Sequence, residues 1–407
     1  MSDHRIPQYL VINRFDDECG HYQRFAAGID CRLAFVTLPA GLPVIDRSAA
    51  LDTVVVDSLG HDTLLAKAEA LMAKHGPFDG VVGISERDVI ATARLRADLE
   101  VPGWREDFVR RFKDKPTMKQ AVAAAGLRVP AFVALDEGSS AESVAEAVGL
   151  PLVLKPRAEA ASRGVVVIED LEELRTALKD VDRADHQCEE YVSGTVLHID
   201  GIRRGGGFHF VSASAYLNTC LDFAHGLPMG SAVIDPGPRA DRAVAFTAGC
   251  LDALGLDDGP FHLELIEADS GELVFLEVGI RPGGADIPTI HRDLFGIDLF
   301  AEAFRVTLGL PPATDPARLP QPRGGGWVAV PEPRPLPSRV VSRTPLLDLV
   351  PEVYGEILPE VGRVFTGDGG YDHIGGRFLL RAADSAGVEA AAAEVIRRYR
   401  LVAEPAR

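Results

Sequence analysis

Apolar positions along this chain keep two rhythms: short unbroken runs, and longer stretches in which they recur at helical spacing. The runs 9–12, 33–38, 53–56 and 80–84 are bounded by turn-forming residues and read as buried strands. Residues 61–74 place Leu64, Leu65, Ala68 and Leu71 on one helical face. Residues 86–99 do the same with Val89, Ile90, Ala93, Leu95 and Leu99. Apolar strands alternating with amphipathic helices predict an open parallel α/β unit covered on both faces.

Val101-Pro102-Gly103 closes this unit near residue 104. Two helices are expected next, over 104–112 and 117–125, the second stopped by Gly126. Strand and helix then alternate through 132–135, 141–148, 152–155, 165–168, 171–178 and 187–191. Residues 196–217 predict a hairpin of two long strands, turning where Gly205, Gly206 and Gly207 admit positive φ. A helix over 239–254 precedes strands 261–268 and 272–278, joined by the tight turn Asp269-Ser270-Gly271. The Pro- and Gly-rich stretch 311–325 reads as a linker to a last segment, with strands near 326–330 and 376–381 and a helix near 385–400. The chain thus divides into units 1–104, 105–312 and 313–407, with no internal repeat.

Composition narrows the class. The 407 residues are 46% hydrophobic and 25% charged, as expected of a globular chain with a large core. A net charge of −18 argues against nucleic acid or an anionic membrane surface as partner. Cys19, Cys31, Cys188, Cys220 and Cys250 form no C-x-x-C pair, which speaks for reduced thiols rather than a disulfide framework or structural zinc. No apolar run reaches the ~18–20 residues of a membrane span. The first residues lack a secretory pattern, so a cytoplasmic location is expected.

Neither G-x-G-x-x-G nor G-x-x-x-x-G-K-[ST] occurs, so the first unit is not expected to hold a nucleotide by either route. Three other places can handle phosphate chemistry. After the strand ending in Lys155-Pro156 comes a loop of small residues closing on Ser162-Arg163-Gly164. Its backbone could approach phosphate oxygens while Lys155 offsets their charge. By itself the same pattern describes a solvated hairpin. The segment Cys188-Glu189-Glu190-Tyr191-Val192 ends a strand beside Gly194 and could meet the polar edge of a purine, or be a solvated edge. In the hairpin 261–284, alternation puts His262, Glu264 and Ile266 on one face, and Glu277 lies on the partner strand. Two carboxylates on so apolar a hairpin are costly unless a cation lies between them, and Mg²⁺ with ATP phosphates suits such hard oxygens. Arg281 follows, with a fork able to bind phosphate or an oxyanion, and then Gly283 and Gly284.

In this order the motifs resemble the ATP-grasp superfamily, and within it the carboxylate–amine ligases that make dipeptides and related amides. The resemblance spans nearly the whole chain. It includes the segment from Ser85 to Gly103, the D-K-x-x-M-K pattern beginning at Asp114, and Tyr371-Asp372-His373-Ile374-Gly375-Gly376-Arg377-Phe378 near the end. It implies an N-terminal open α/β domain, a central ATP-grasp core with a lid over about 125–190, and a C-terminal α/β segment. It also implies that Lys115 and Lys155 contact ATP phosphates under the loop 157–164. Glu189, with Glu190, Tyr191 and Val192, would meet adenine, and His198 and Asp200 would meet ribose or support that strand. Glu264 and Glu277 would ligate Mg²⁺, with Mn²⁺ as an alternative. Arg281 would contact the transferred phosphate and the tetrahedral intermediate. Two features depart from the family pattern: Gly279 stands where Asn is usual, and Glu159 lies in the phosphate loop.

The function implied is ATP-dependent amide formation through an acyl phosphate, joining a small carboxylate to an amine and releasing ADP and phosphate. Gly283, Gly284, Asp222, His225 and His291 are the substrate-side candidates. Alternatives are a biotin-carboxylase-like enzyme activating bicarbonate, or a non-catalytic ATP-binding regulator. By analogy such folds also suggest a homodimer.

Overall fold

The computed structural model describes residues 5–159, 163–320, 324–367 and 374–406. Strands β1 (Gln8–Asn13), β2 (Arg32–Thr37), β3 (Asp52–Val55) and β4 (Gly80–Val82) form a parallel sheet in the order β3-β2-β1-β4. Every residue of β1 is buried, because both of its faces are covered. Leu10 and Ile12 pack against Leu64, Ala68 and Leu71 of helix His61–His75. Tyr9 and Val11 face the other way, in a cluster with Phe300 and Phe304 of helix Leu299–Thr307. The stack of Phe25 on Phe300, 6.0 Å between centroids, joins this sheet to the rest of the molecule.

A second sheet holds β5 (Phe132–Ala134), β6 (Leu152–Pro156), β7 (Val166–Ile168) and β8 (His186–Glu190), antiparallel in the order β5-β8-β6-β7. Helices Ala141–Val148 and Leu171–Asp180 close its core through Val144, Val148, Leu174 and Leu178.

The central sheet has eight antiparallel strands. Its members are β9 (Gly194–Arg204), β10 (Gly207–Tyr216), β11 (Met229–Val233), β12 (Gly259–Ala268), β13 (Leu273–Gly279), β14 (Gly324–Val330), β16 (Val353–Ile357) and β18 (Gly376–Ala382). They run in the order β13-β12-β9-β10-β11-β14-β18-β16. One face packs on helices Lys115–Ala124 and Pro238–Leu254 through Val122, Leu251 and Leu254. The other packs on helices Ile287–Phe295 and Leu299–Thr307. A small sheet of β17 (Val364–Phe365), β15 (Ser338–Arg343) and β19 (Leu401–Pro405) completes the C-terminal part.

The end of the expected linker needs correction. Gly324 and Gly325, like the expected strand residue Gly326, belong to β14; all three pair with β18, and Gly326 pairs with β11 as well. A Cβ on Gly324 would lie 2.2 Å from Asp384 O, and one on Gly326 would lie 2.3 Å from Ser231 O. These glycines allow close approach rather than a flexible connection. Among the described residues no helix is long and apolar enough to cross a membrane. Cys19, Cys31, Cys188 and Cys250 are free thiols.

Candidate active site

Glu264 and Glu277 are directly opposite each other on β12 and β13. Each is held through one oxygen. Tyr216 Oη donates to Glu264 Oε1 at 3.1 Å, and His262 Nε2 lies 3.4 Å from the same atom. Lys115 Nζ pairs with Glu277 Oε2 at 3.1 Å. The second oxygen of each glutamate has no protein partner among the described residues. Burial opposes the charge of Glu277, but Lys115 and Lys155 outweigh it and hold its pKa below the usual carboxylate value.

The lysines reach this point because of a helix start. Asp114 caps helix Lys115–Ala124 by accepting from Thr117 N at 3.1 Å, and Pro116 occupies the first turn. Four-residue spacing then aligns Lys115 and Lys119 on one face. Lys115 Nζ also donates to Glu159 O, 2.7 Å away at the rim of the loop after β6. Lys119 is fully buried, donates to Leu276 O at 2.9 Å, and pairs with Glu189 Oε2 at 3.0 Å. Lys155, from β6, pairs with the other oxygen of Glu189. Burial lowers the Lys119 pKa to about 8 even with Glu189 beside it.

Glu189 is thus clamped between two ammoniums, so its carboxylate is already engaged where an adenine contact was expected. Its removal should be costly. Glu189→Ala would leave Lys119 and Lys155 buried without their counter-charge, an expected loss of ~3–5 kcal/mol of stability. Urea unfolding checks this; a loss below ~1 kcal/mol would show the two lysines to be supported elsewhere.

Arg281 meets the N-terminal sheet. Its Nε donates to Glu86 Oε2 at 2.6 Å, and Lys113 Nζ donates to Glu86 Oε1 at 3.0 Å. Glu86 follows β4, at the carboxyl end of the parallel strands, where open α/β sheets present ligand crevices. Burial works against its charge, yet Arg281 and Lys113 keep its pKa well below the carboxylate range. Gly279 is directly opposite His262, and a Cβ there would be 3.5 Å from Arg281 Cγ, so the bare position borders the arginine. A Cβ on Gly283 would lie 2.4 Å from Asp200 Oδ1, which makes glycine necessary where the chain passes that carboxylate. Nothing lies within 4 Å of a Cβ built on Gly284.

The other expected residues are distributed differently. Glu190 binds Arg128 Nη2 through both oxygens and accepts from Ala131 N, Tyr191 is exposed, and Val192 is half-buried. Gly164 has φ +68, as its loop position requires, and Arg163 and Glu159 are exposed and 3.9 Å apart; Ser162 lies outside the described residues. His198 is buried against Asp200 and Ser231. Asp222 is taken up by a capping box, accepting from Thr219 N and Oγ1 in the short helix Cys220–Ala224, and His225 is exposed at its end. Neither is hydrogen-bonded to the carboxylate pair. His291, expected on the substrate side, is buried between Phe210 and Phe295, donates through Nδ1 to Ile287 O, and is kept neutral by burial.

Sequence reasoning missed Glu86, Lys113 and Lys119. Lys119 is the last residue of the D-K-x-x-M-K pattern and Lys113 immediately precedes it, and helical spacing alone would have flagged Lys119. Glu86 lies in the segment from Ser85 to Gly103, but no spacing within that segment singles it out.

Comparison with known proteins bears on the fold that carries these residues. Residues 120–196 match the ATP-grasp domain family. An uncharacterized protein of Sinorhizobium fredii is 26% identical over 302 residues, covering 68% of this chain and 59% of that protein. The L-arginine-specific L-amino acid ligase of Bacillus subtilis is 23% identical over 262 residues, covering 62% of this chain and 63% of its own length. The matches therefore span less than two thirds of either relative. The crystal structure of an L-amino acid ligase from Bacillus licheniformis superposes with a TM-score of 0.77 at 19% identity, covering 98% of this chain and 99% of that one. Residues 120–196 thus match an ATP-grasp domain, and nearly the whole chain shares the fold of that ligase structure.

Proposed function

We propose that this protein is an ATP-dependent carboxylate–amine ligase. It would activate a small carboxylate, an amino acid or a close analogue, as an acyl phosphate, and join it to an amine with release of ADP and phosphate. The observation that carries the reading is the facing pair Glu264 and Glu277, each held by one oxygen, with Lys115 and Arg281 beside them.

The donor set fits a hard divalent cation: two half-buried carboxylates, each with an oxygen to offer. Glu264 and Glu277 would hold Mg²⁺, which would offset phosphate charge during transfer. Lys115 and Lys155 would bind the phosphates, with the loop 157–164 above them. Glu190, Tyr191 and Val192, at the junction of the second sheet and β9, would border the base. Arg281 would present its fork to the charge that develops as the amine attacks the acyl carbon. Closure of the unit 125–190 would keep water from the acyl phosphate. Most of the rate gain would come from positioning and electrostatics.

Nucleotide product analysis tests this. With Mg-ATP and pooled amino acids and amines, ADP and phosphate should appear only when a carboxylate and an amine are both present, and EDTA should stop their release. AMP and pyrophosphate would replace the acyl-phosphate route with adenylation. Bicarbonate-dependent ADP release without an amine would favour carboxylase chemistry.

A further inference from the structure

Asp200 is the most deeply placed charge in the central sheet. It lies on β9, is fully buried, and faces His262 across the β9–β12 ladder. A buried carboxylate costs several kcal/mol unless its oxygens are matched by donors. Two imidazoles match them: His198 Nδ1 at 2.5 Å from Oδ2, and His262 Nδ1 at 2.8 Å from Oδ1. These three side chains could be read as a metal cluster, since their ligand atoms lie within 4.8 Å of one another. Both Nδ1 atoms are already spent on Asp200, however, and the outward nitrogens lead elsewhere.

His262 Nε2 leads to Glu264 Oε1. His198 Nε2 meets Ser231 Oγ at 2.6 Å, and its ring lies against that of Tyr216, with 4.5 Å between centroids. Tyr216 is the other group that holds Glu264 Oε1. Both restraints on Glu264 therefore trace back to one carboxylate, by separate routes. The same carboxylate is the surface against which Gly283 is packed.

We infer that Asp200 is a positioning residue: through His262, and through His198 and Tyr216, it fixes Glu264 by one oxygen and leaves the other for the divalent cation. Asp200 does not touch the cation or the substrates. The inference rests on the ligase reading through the role of Glu264.

Mn²⁺ binding in the presence of ADP, followed by electron paramagnetic resonance on the full chain, tests it without turnover. Loss of such a supporting partner typically weakens metal affinity ~10–100-fold, and Asp200→Asn is expected to fall in that range. ADP affinity measured without metal should stay within about twofold, whereas general damage to the core would weaken both. His262→Gln should shift Mn²⁺ affinity in the same direction, and it decides the matter if Asp200→Asn does not fold. Wild-type Mn²⁺ affinity in the folded Asp200→Asn or His262→Gln protein, with loss in Glu264→Gln, would overturn the inference and leave the ligase reading standing. Equal Mn²⁺ affinity in wild type and Glu264→Gln would remove Glu264 as a ligand and overturn both.

Discussion

Glu277→Gln is expected to give a folded protein that no longer forms ADP in a Mg²⁺-dependent way. Glutamine keeps the size of the side chain and a carbonyl oxygen for the Lys115 ammonium, so the buried lysine is not orphaned. What disappears is the negative charge opposite Glu264. The phosphates would then meet Lys115, Lys155 and Arg281 without a properly held cation. Removing one such electrostatic contact commonly costs ~10²–10³ in turnover, and loss of a metal ligand should reach at least that. A coupled ADP assay across Mg²⁺ concentrations, with thermal melting beside it, separates the two effects. Wild-type turnover in the folded variant would remove Glu277 from the metal site.

Arg281→Ala is the second large effect. Its side chain is half-buried; desolvation disfavours its charge, but Glu86, Glu264 and Glu277 more than compensate, so it stays cationic. In the variant Glu86 keeps Lys113, so no carboxylate is left bare and the fold should hold. ATP binding should change by no more than a few-fold, because Lys115 and Lys155 remain. Amide product should fall ~10²–10³-fold, as for a lost oxyanion donor. Calorimetry for ATP and mass spectrometry for product read these separately. Unchanged product formation would take Arg281 off the list of catalytic residues.

Much of this architecture is legible along the chain. The parallel strands, the long hairpin and the two-carboxylate hairpin all follow from local period and turn chemistry, and their observed bounds lie close to the expected ones. Other features depend on neighbours remote in sequence. Gly324 and Gly325 look like a linker until Asp384 and Leu294 crowd them. Glu189 looks free for a purine until Lys119 and Lys155 close on it from a helix and another strand. Glu86 and Arg281 are 195 positions apart, and no spacing rule connects them. His291 and Arg292 share a helix, yet packing buries the first and leaves the second paired with Glu18 at 2.8 Å.

The place of β14 between β11 and β18 bears on how the chain can be divided. A protein truncated after residue 312 would lose β14, β16 and β18 and strip one flank of the central sheet. The backbone donors and acceptors along β11 would become an open edge, beside newly bared apolar surface around Met229 and Val233. Such an edge is a template for pairing with other chains. The last hundred residues thus cover this edge and keep it from pairing with other chains.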